Sequence, residues 1–230
     1  MRAGNAVVLG SDSANVHPKG HVDRDVRKVW RINARIALGY AGDTTLGTCI
    51  AQRLQRELDA TAHLSEATLR ATETIARIAC VELYGAAKDK SVHILLVGYR
   101  AENEPPIVLK METKRNHTVL EPPQDLPIYF EGVNAPMVSL FRRIAEQGPS
   151  IEQAKAAVCL GIMEVSHYYD SVCGPVQMAV LANGTVEVLD ESEVARIAKS
   201  VASVKWLSIL PSNSEEPDPS TSPSHADGDT

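Results

Sequence analysis

Among the residues of this chain, Asp12 carries a carboxylate, Lys28 an ammonium and Gly42 a bare backbone, types that chemistry can use but that residue type alone does not join into one site. Taken singly, each has a plainer reading. Gly10-Ser11-Asp12-Ser13 is a turn cluster, Lys28 a solvated strand lysine and Gly42 a helix-opening glycine. Two other groupings are weaker. His167 and Cys173 could form a nucleophile and base, but an isolated cysteine is more often a small buried hydrophobe. His17, His21 and Asp23 could bind a metal, yet they lie in a Pro/Gly loop with no fourth ligand, so a solvated loop is expected and no metal or cofactor is assigned.

The elements that must position these residues follow from local pattern. Ala6–Leu9, Val26–Ile32 and Ile36–Ala41 read as strands, and Gly42-Asp43-Thr44 signals a helix start with Asp43 as its cap. Apolar spacing over Leu46, Cys49, Ile50, Leu54 and Leu58 predicts one amphipathic helix, and Ser65 to Tyr84 predicts a second. Val92–Tyr99, Ile107–Met111 and Thr118–Leu120 form a second set of strands. Ala135–Glu146 reads as a helix ended by Gly148-Pro149, and Ser150-Ile151-Glu152-Gln153 is a capping box that opens another running to about Tyr169. Pro175–Leu181 and Thr185–Leu189, joined by Asn183-Gly184, form a hairpin, and Glu191–Ala202 is a closing helix. Strands and helix pairs in this order predict an α+β fold, a four-layer αββα sandwich over residues 1–210.

Composition narrows the function. The chain has 230 residues, 44% of them hydrophobic, enough to bury a core, and a formal net charge of -6 without the basic excess that nucleic acid or anionic membrane selects. Neither partner is expected. The four cysteines are far apart with no CxxC, which suits a reducing cytoplasm and disfavours a disulfide framework. Nothing resembles a signal peptide or a membrane span. Residues 211–230 hold four prolines, five serines and five acidic residues, with Ala226 as the single apolar side chain, and are expected to be a disordered tail.

The stretch Ala6-Val7-Val8-Leu9-Gly10-Ser11-Asp12-Ser13, followed by Val26 to Ile32 and by Ala37-Leu38-Gly39-Tyr40-Ala41-Gly42, resembles the start of proteasome β-type subunits, members of the N-terminal-nucleophile hydrolase superfamily. Asp12, Lys28 and Gly42 fall on three of that family's landmarks. Tyr169-Asp170-Ser171-Val172-Cys173-Gly174 resembles its aspartate, serine and glycine segment, and Ile94–Tyr99 its central strand, so the resemblance spans about Ala6 to Val201. It implies a threonine-type endopeptidase that degrades unfolded proteins. There the threonine's own α-amine is the base, Lys28 keeps that amine neutral, Asp12 holds Lys28, Gly42 supplies the oxyanion N–H, and Asp170 and Cys173 brace the amine. It also implies Val16, Tyr40 and Thr44 along the substrate cleft, with Tyr40 at the base of the specificity pocket, and self or related subunits in a ring fed by an ATP-dependent unfoldase.

Several positions depart from the family pattern. Met1 aligns inside the first strand, so the nucleophilic threonine is expected to be missing from the chain as written, which should then be inactive. Cys173 replaces a serine, and Val133 aligns where the family has another. The alternatives are a non-catalytic structural subunit of a proteasome-like ring and, less favoured, a non-proteolytic amidase of the same superfamily.

Overall fold

A computed structural model describes residues 1–16, 21–85, 90–114, 117–120, 128–129 and 138–202. Within these, β1 (Arg2–Ala3), β2 (Ala6–Ser11), β10 (Gln177–Ala182) and β11 (Thr185–Val188) form a four-stranded antiparallel sheet in the order β1-β2-β10-β11. A five-stranded antiparallel sheet runs β5 (Val29–Arg31), β6 (Ile36–Gly42), β7 (Ser91–Gly98), β8 (Ile107–Lys114), β9 (His117–Leu120). A short hairpin of β3 (Asn15–Val16) and β4 (Val22–Asp23) stands apart from both.

Strand alternation sorts the side chains into three cores. Val7, Leu9, Ala179 and Leu181 meet Val29, Ala37, Val97 and Val108 between the sheets. The other face of the five-stranded sheet, through Ile36, Leu38, Ile94 and Leu96, packs on α1 (Thr44–Glu57) and α2 (Glu66–Tyr84). Val8, Met178 and Val180 on the outer face of the four-stranded sheet pack on α3 (Val138–Glu146), α4 (Ile151–Tyr168) and α5 (Glu191–Ala202). The result is the αββα sandwich expected from the order of elements.

Local signals set the boundaries. Asp43 caps α1 by accepting from the Leu46 N–H, Ser65 caps α2, and Ser150 and Gln153 close a reciprocal capping box on α4. Asn183 and Gly184 hold positive φ of 51° and 74°, the requirement of a two-residue hairpin turn. Where the structure differs from the sequence expectation, the causes are specific. β5 begins at Val29 rather than Val26, because the preceding backbone is bonded to a side chain and a loop instead of to a strand. The two-residue strands β1, β3 and β4 are too short for alternation to show. The helix expected from Ala135 is described from Val138. His17, Val133 and the tail 211–230 lie outside the described residues. No helix among the described residues is long and apolar enough to cross a membrane.

Candidate functional site

Asp12 leaves the end of β2 and Lys28 precedes β5, so the two belong to opposite sheets. They meet across the seam: Lys28 Nζ lies 2.9 Å from Asp12 Oδ1 and 3.1 Å from Oδ2. Their side chains are 8% and 13% exposed. Asp12 is itself held, because Oδ2 accepts the Ala14 N–H at 2.9 Å and Oδ1 lies 3.4 Å from the Ser11 hydroxyl. A bidentate carboxylate with its own backbone donor fixes the ammonium in place and compensates the charge that burial would otherwise penalise.

Gly42 ends β6 with φ of +100°, and a Cβ there would stand 2.7 Å from the Ser91 carbonyl oxygen. Both facts demand glycine. The next residue locks the turn: Asp43 N–H donates to Ser91 O at 2.9 Å. The Asp43 carboxylate accepts from the Leu46 N–H and the Tyr84 hydroxyl and pairs with Lys90 at 3.2 Å. Burial alone would raise the Asp43 pKa, but the Tyr84 hydroxyl, the Leu46 N–H and Lys90 together hold it below its ordinary value. Burial, and then the bond to Asp43, push Tyr84 well above the usual tyrosine range. Sequence reading saw Asp43 as a cap and missed Tyr84 and Lys90, which arrive from the far end of α2 and beyond it.

Asp12, Lys28 and Gly42 line one cavity of about 380 Å³ that continues between the sheets past Leu9, Leu95 and Val97. Tyr40 and Val16 line it too. Tyr40 is buried, with its hydroxyl 2.9 Å from Arg27 O and 2.8 Å from Thr48 Oγ1, and α1 allows the ring to lie there because residue 47 is glycine. Val16 is 46% exposed. Thr44 is buried in the first turn of α1 and is not part of the cavity wall.

The loop after α4 approaches from the other side. Ser171 and Val172 line the cavity, whereas Asp170 is exposed and does not. Cys173 joins the site through its backbone, its carbonyl accepting the Ser13 N–H at 3.2 Å. Ser13 Oγ in turn donates to Arg24 O at 2.5 Å. Gly174, with φ of +80°, permits this docking, since a Cβ would lie 2.3 Å from Arg24 O. Among the described residues no group of three or more His, Cys, Asp or Glu side chains could hold a metal. His21 and Asp23 pair at 3.1 Å on the exposed hairpin.

The comparisons with known proteins bear on this geometry. A family model described as proteasome subunit matches residues 1–111, the segment that contains Asp12, Lys28 and Gly42. The match covers 111 of the 230 residues. The fold of the chain is similar to that of solved structures. One is Anbu (ancestral beta-subunit) from Yersinia bercovieri, with a TM-score of 0.65 and 15% identity over 88% of this chain and 91% of that one. Another is an Anbu (Gly-1) mutant from Hyphomicrobium sp. strain MC1, with a TM-score of 0.58 and 13% identity over 85% of this chain and 88% of that one. No curated protein matches the chain.

Proposed function

We propose that this proteasome-type chain is a subunit of a ring-shaped, threonine-type endopeptidase that degrades unfolded proteins. The observation that carries the reading is the buried Lys28–Asp12 pair set beside Gly42 in one cavity. A structural subunit has no use for an ammonium held by a carboxylate in a cleft, because a buried ion pair is seldom better for stability than apolar packing. Lys28 is the ammonium that keeps a threonine α-amine neutral, so that the amine can take the hydroxyl proton. Gly42 offers its N–H to the tetrahedral oxyanion.

The reaction requires the hydroxyl and the α-amine of a threonine presented beside Lys28. Met1 N donates to Val8 O at 2.8 Å and Val8 N–H donates to Met1 O at 2.8 Å, so the backbone of Met1 is held against β2. Substrates are polypeptides, and an ATP-dependent unfoldase is the partner that would deliver them. Assembly with copies of itself or related subunits is part of the proposal. Ile78, Val81 and Leu83 on α2 are 40–45% exposed, which is apolar surface of the kind that ring contacts cover.

The second reading is a non-catalytic ring subunit, favoured by Cys173, a weaker hydrogen-bond partner than the serine of the family pattern. Fluorogenic peptide hydrolysis by assembled protein separates the two. Cleavage is expected from a form extended to an exposed terminal threonine, and its loss from the threonine-to-alanine and Lys28→Ala versions. Absence of cleavage by the extended, assembled form supports the structural reading, and cleavage that survives Lys28→Ala overturns the assignment of the site.

A further inference from the structure

We infer that Gln177 is the positioning residue of Lys28, an inference that rests on Lys28 being the ammonium of the proposed site. β5 is the edge strand of its sheet, so the backbone groups on its outer side have no strand to pair with. The segment that carries Lys28 into β5 nevertheless has those groups bonded. Gln177 Oε1 accepts from the Lys28 N–H at 2.8 Å and from the Val29 N–H at 3.1 Å, and Gln177 Nε2 donates to Val26 O at 2.8 Å. One carboxamide thus acts as a single peptide unit of an absent neighbouring strand, donating on one side and accepting on the other. The bond next to it is made by true backbone: Val26 N–H donates to Ser13 O at 3.0 Å.

The position of Gln177 gives this contact its meaning. On β10, Ala179 and Leu181 face the other sheet while Met178 and Val180 face the helices. Gln177 has the parity of Ala179, so its side chain reaches across the seam. On its own sheet it is registered opposite Ser11, the residue before Asp12. The same β2–β10 pairing therefore references both members of the ion pair: Asp12 by chain continuity, and the Lys28 backbone through the Gln177 amide. The Lys28 carbonyl is held from the other edge by the Tyr40 N–H at 3.3 Å. Nothing in the chemistry of the site asks for a glutamine at the start of β10, where a hydrophobe would bury more apolar area. The peptide-like bonding is the reason for it, since leaving three backbone groups near the seam unsatisfied is costly.

Three variants of the full chain test the inference: Gln177→Met, which keeps length and removes both hydrogen-bonding ends; Gln177→Glu, which keeps the acceptor; and Lys28→Ala as the reference for loss of the ammonium. Amide hydrogen exchange at Lys28 and Val29, and the ¹⁵N-labelled Lys28 ammonium signal, are read by NMR. Gln177→Met is expected to speed exchange of those two amides about tenfold or more while Val8 and Val180 in the adjoining ladder keep their protection. It should also shift the ammonium signal toward that of solvated lysines. Gln177→Glu should restore protection at the two amides. Unchanged amides and ammonium in Gln177→Met would overturn the inference. So would a uniform loss of protection over β2, β10 and β5 that Gln177→Glu fails to repair, because Gln177 would then be a packing residue alone. In a form that cleaves peptide, Gln177→Met should lower kcat with KM held. If no form cleaves, the peptidase reading falls, and the amide and ammonium measurements still decide the role of Gln177.

Discussion

Replacing Lys28 and Asp12 singly and together measures whether the site is a true buried pair. The two charges sit 2.9 Å apart with side chains 8% and 13% exposed. At an effective dielectric of about 20 and a separation of ~3 Å, their gross attraction is roughly 5 kcal/mol. That attraction, about 4–5 kcal/mol, is the coupling the cycle should report, while desolvation of the two ions offsets most of it in net stability. Lys28→Met leaves the Asp12 carboxylate with the Ala14 N–H as its principal donor, so its cost is expected near the lower end of the ~3–5 kcal/mol typical of a broken buried pair. Asp12→Asn strands an ammonium with less access to water and should cost at least as much. The double variant, with the charges gone, should lie within about 2 kcal/mol of the parent. Urea unfolding at neutral pH of the four proteins closes the cycle. A coupling below about 0.5 kcal/mol, the range of solvent-exposed pairs, would refute the argument that burial and bidentate geometry set the energetics here.

Gly42→Ala puts a Cβ 2.7 Å from Ser91 O at φ of +100°. It should cost about 1–3 kcal/mol and abolish any Lys28-dependent cleavage, as thermal melts and the peptide assay would show. Because Asp43 has its pKa depressed from the ordinary 3.8, its contribution is present above that value and is lost as pH falls through the lower folded pKa. The stability gap between the parent and Asp43→Asn, followed by chemical denaturation, should therefore shrink as the solution is acidified below pH ~4; a gap independent of pH would contradict it. Gly47→Ala drives a Cβ to 2.5 Å from the Tyr40 ring and should destabilise by roughly 1–3 kcal/mol, with the added Tyr40→Ala change relieving part of that in a melt.

What the sequence made legible was local. Asp43, Ser65 and Ser150 announce helix starts because a cap needs a side chain only three residues from its donor, and Asn183-Gly184 announces its turn because the backbone conformation selects those residues. The layer order followed from the succession of such elements. The site was legible only as a set of positions, since Asp12 and Lys28 carry no periodic signal and their meeting depends on how two sheets are stacked. Gln177 was invisible for the same reason, being 149 residues from the N–H it binds. One clue did exist. A polar residue at the parity of Ala179 and Leu181 interrupts an otherwise apolar inner face, and such an interruption asks for a partner across the seam. Asp170, read from its motif, is exposed, while its neighbours Ser171 and Val172 line the cavity.

The contact between Tyr40 and Gly47 limits the routes by which this cleft could be remodelled. The wall at Tyr40 belongs to a strand, but the space its ring occupies is ceded by a helix that has no Cβ at residue 47. The two sites are consequently epistatic, and the order of change matters. A lineage that first enlarges residue 47 meets a steric penalty before any gain, whereas one that first shrinks Tyr40 opens room on both sides at once, giving up the hydroxyl's bonds to Arg27 and Thr48. Enlargement of this cleft is therefore funnelled through position 40, and variation at position 47 becomes accessible only afterwards.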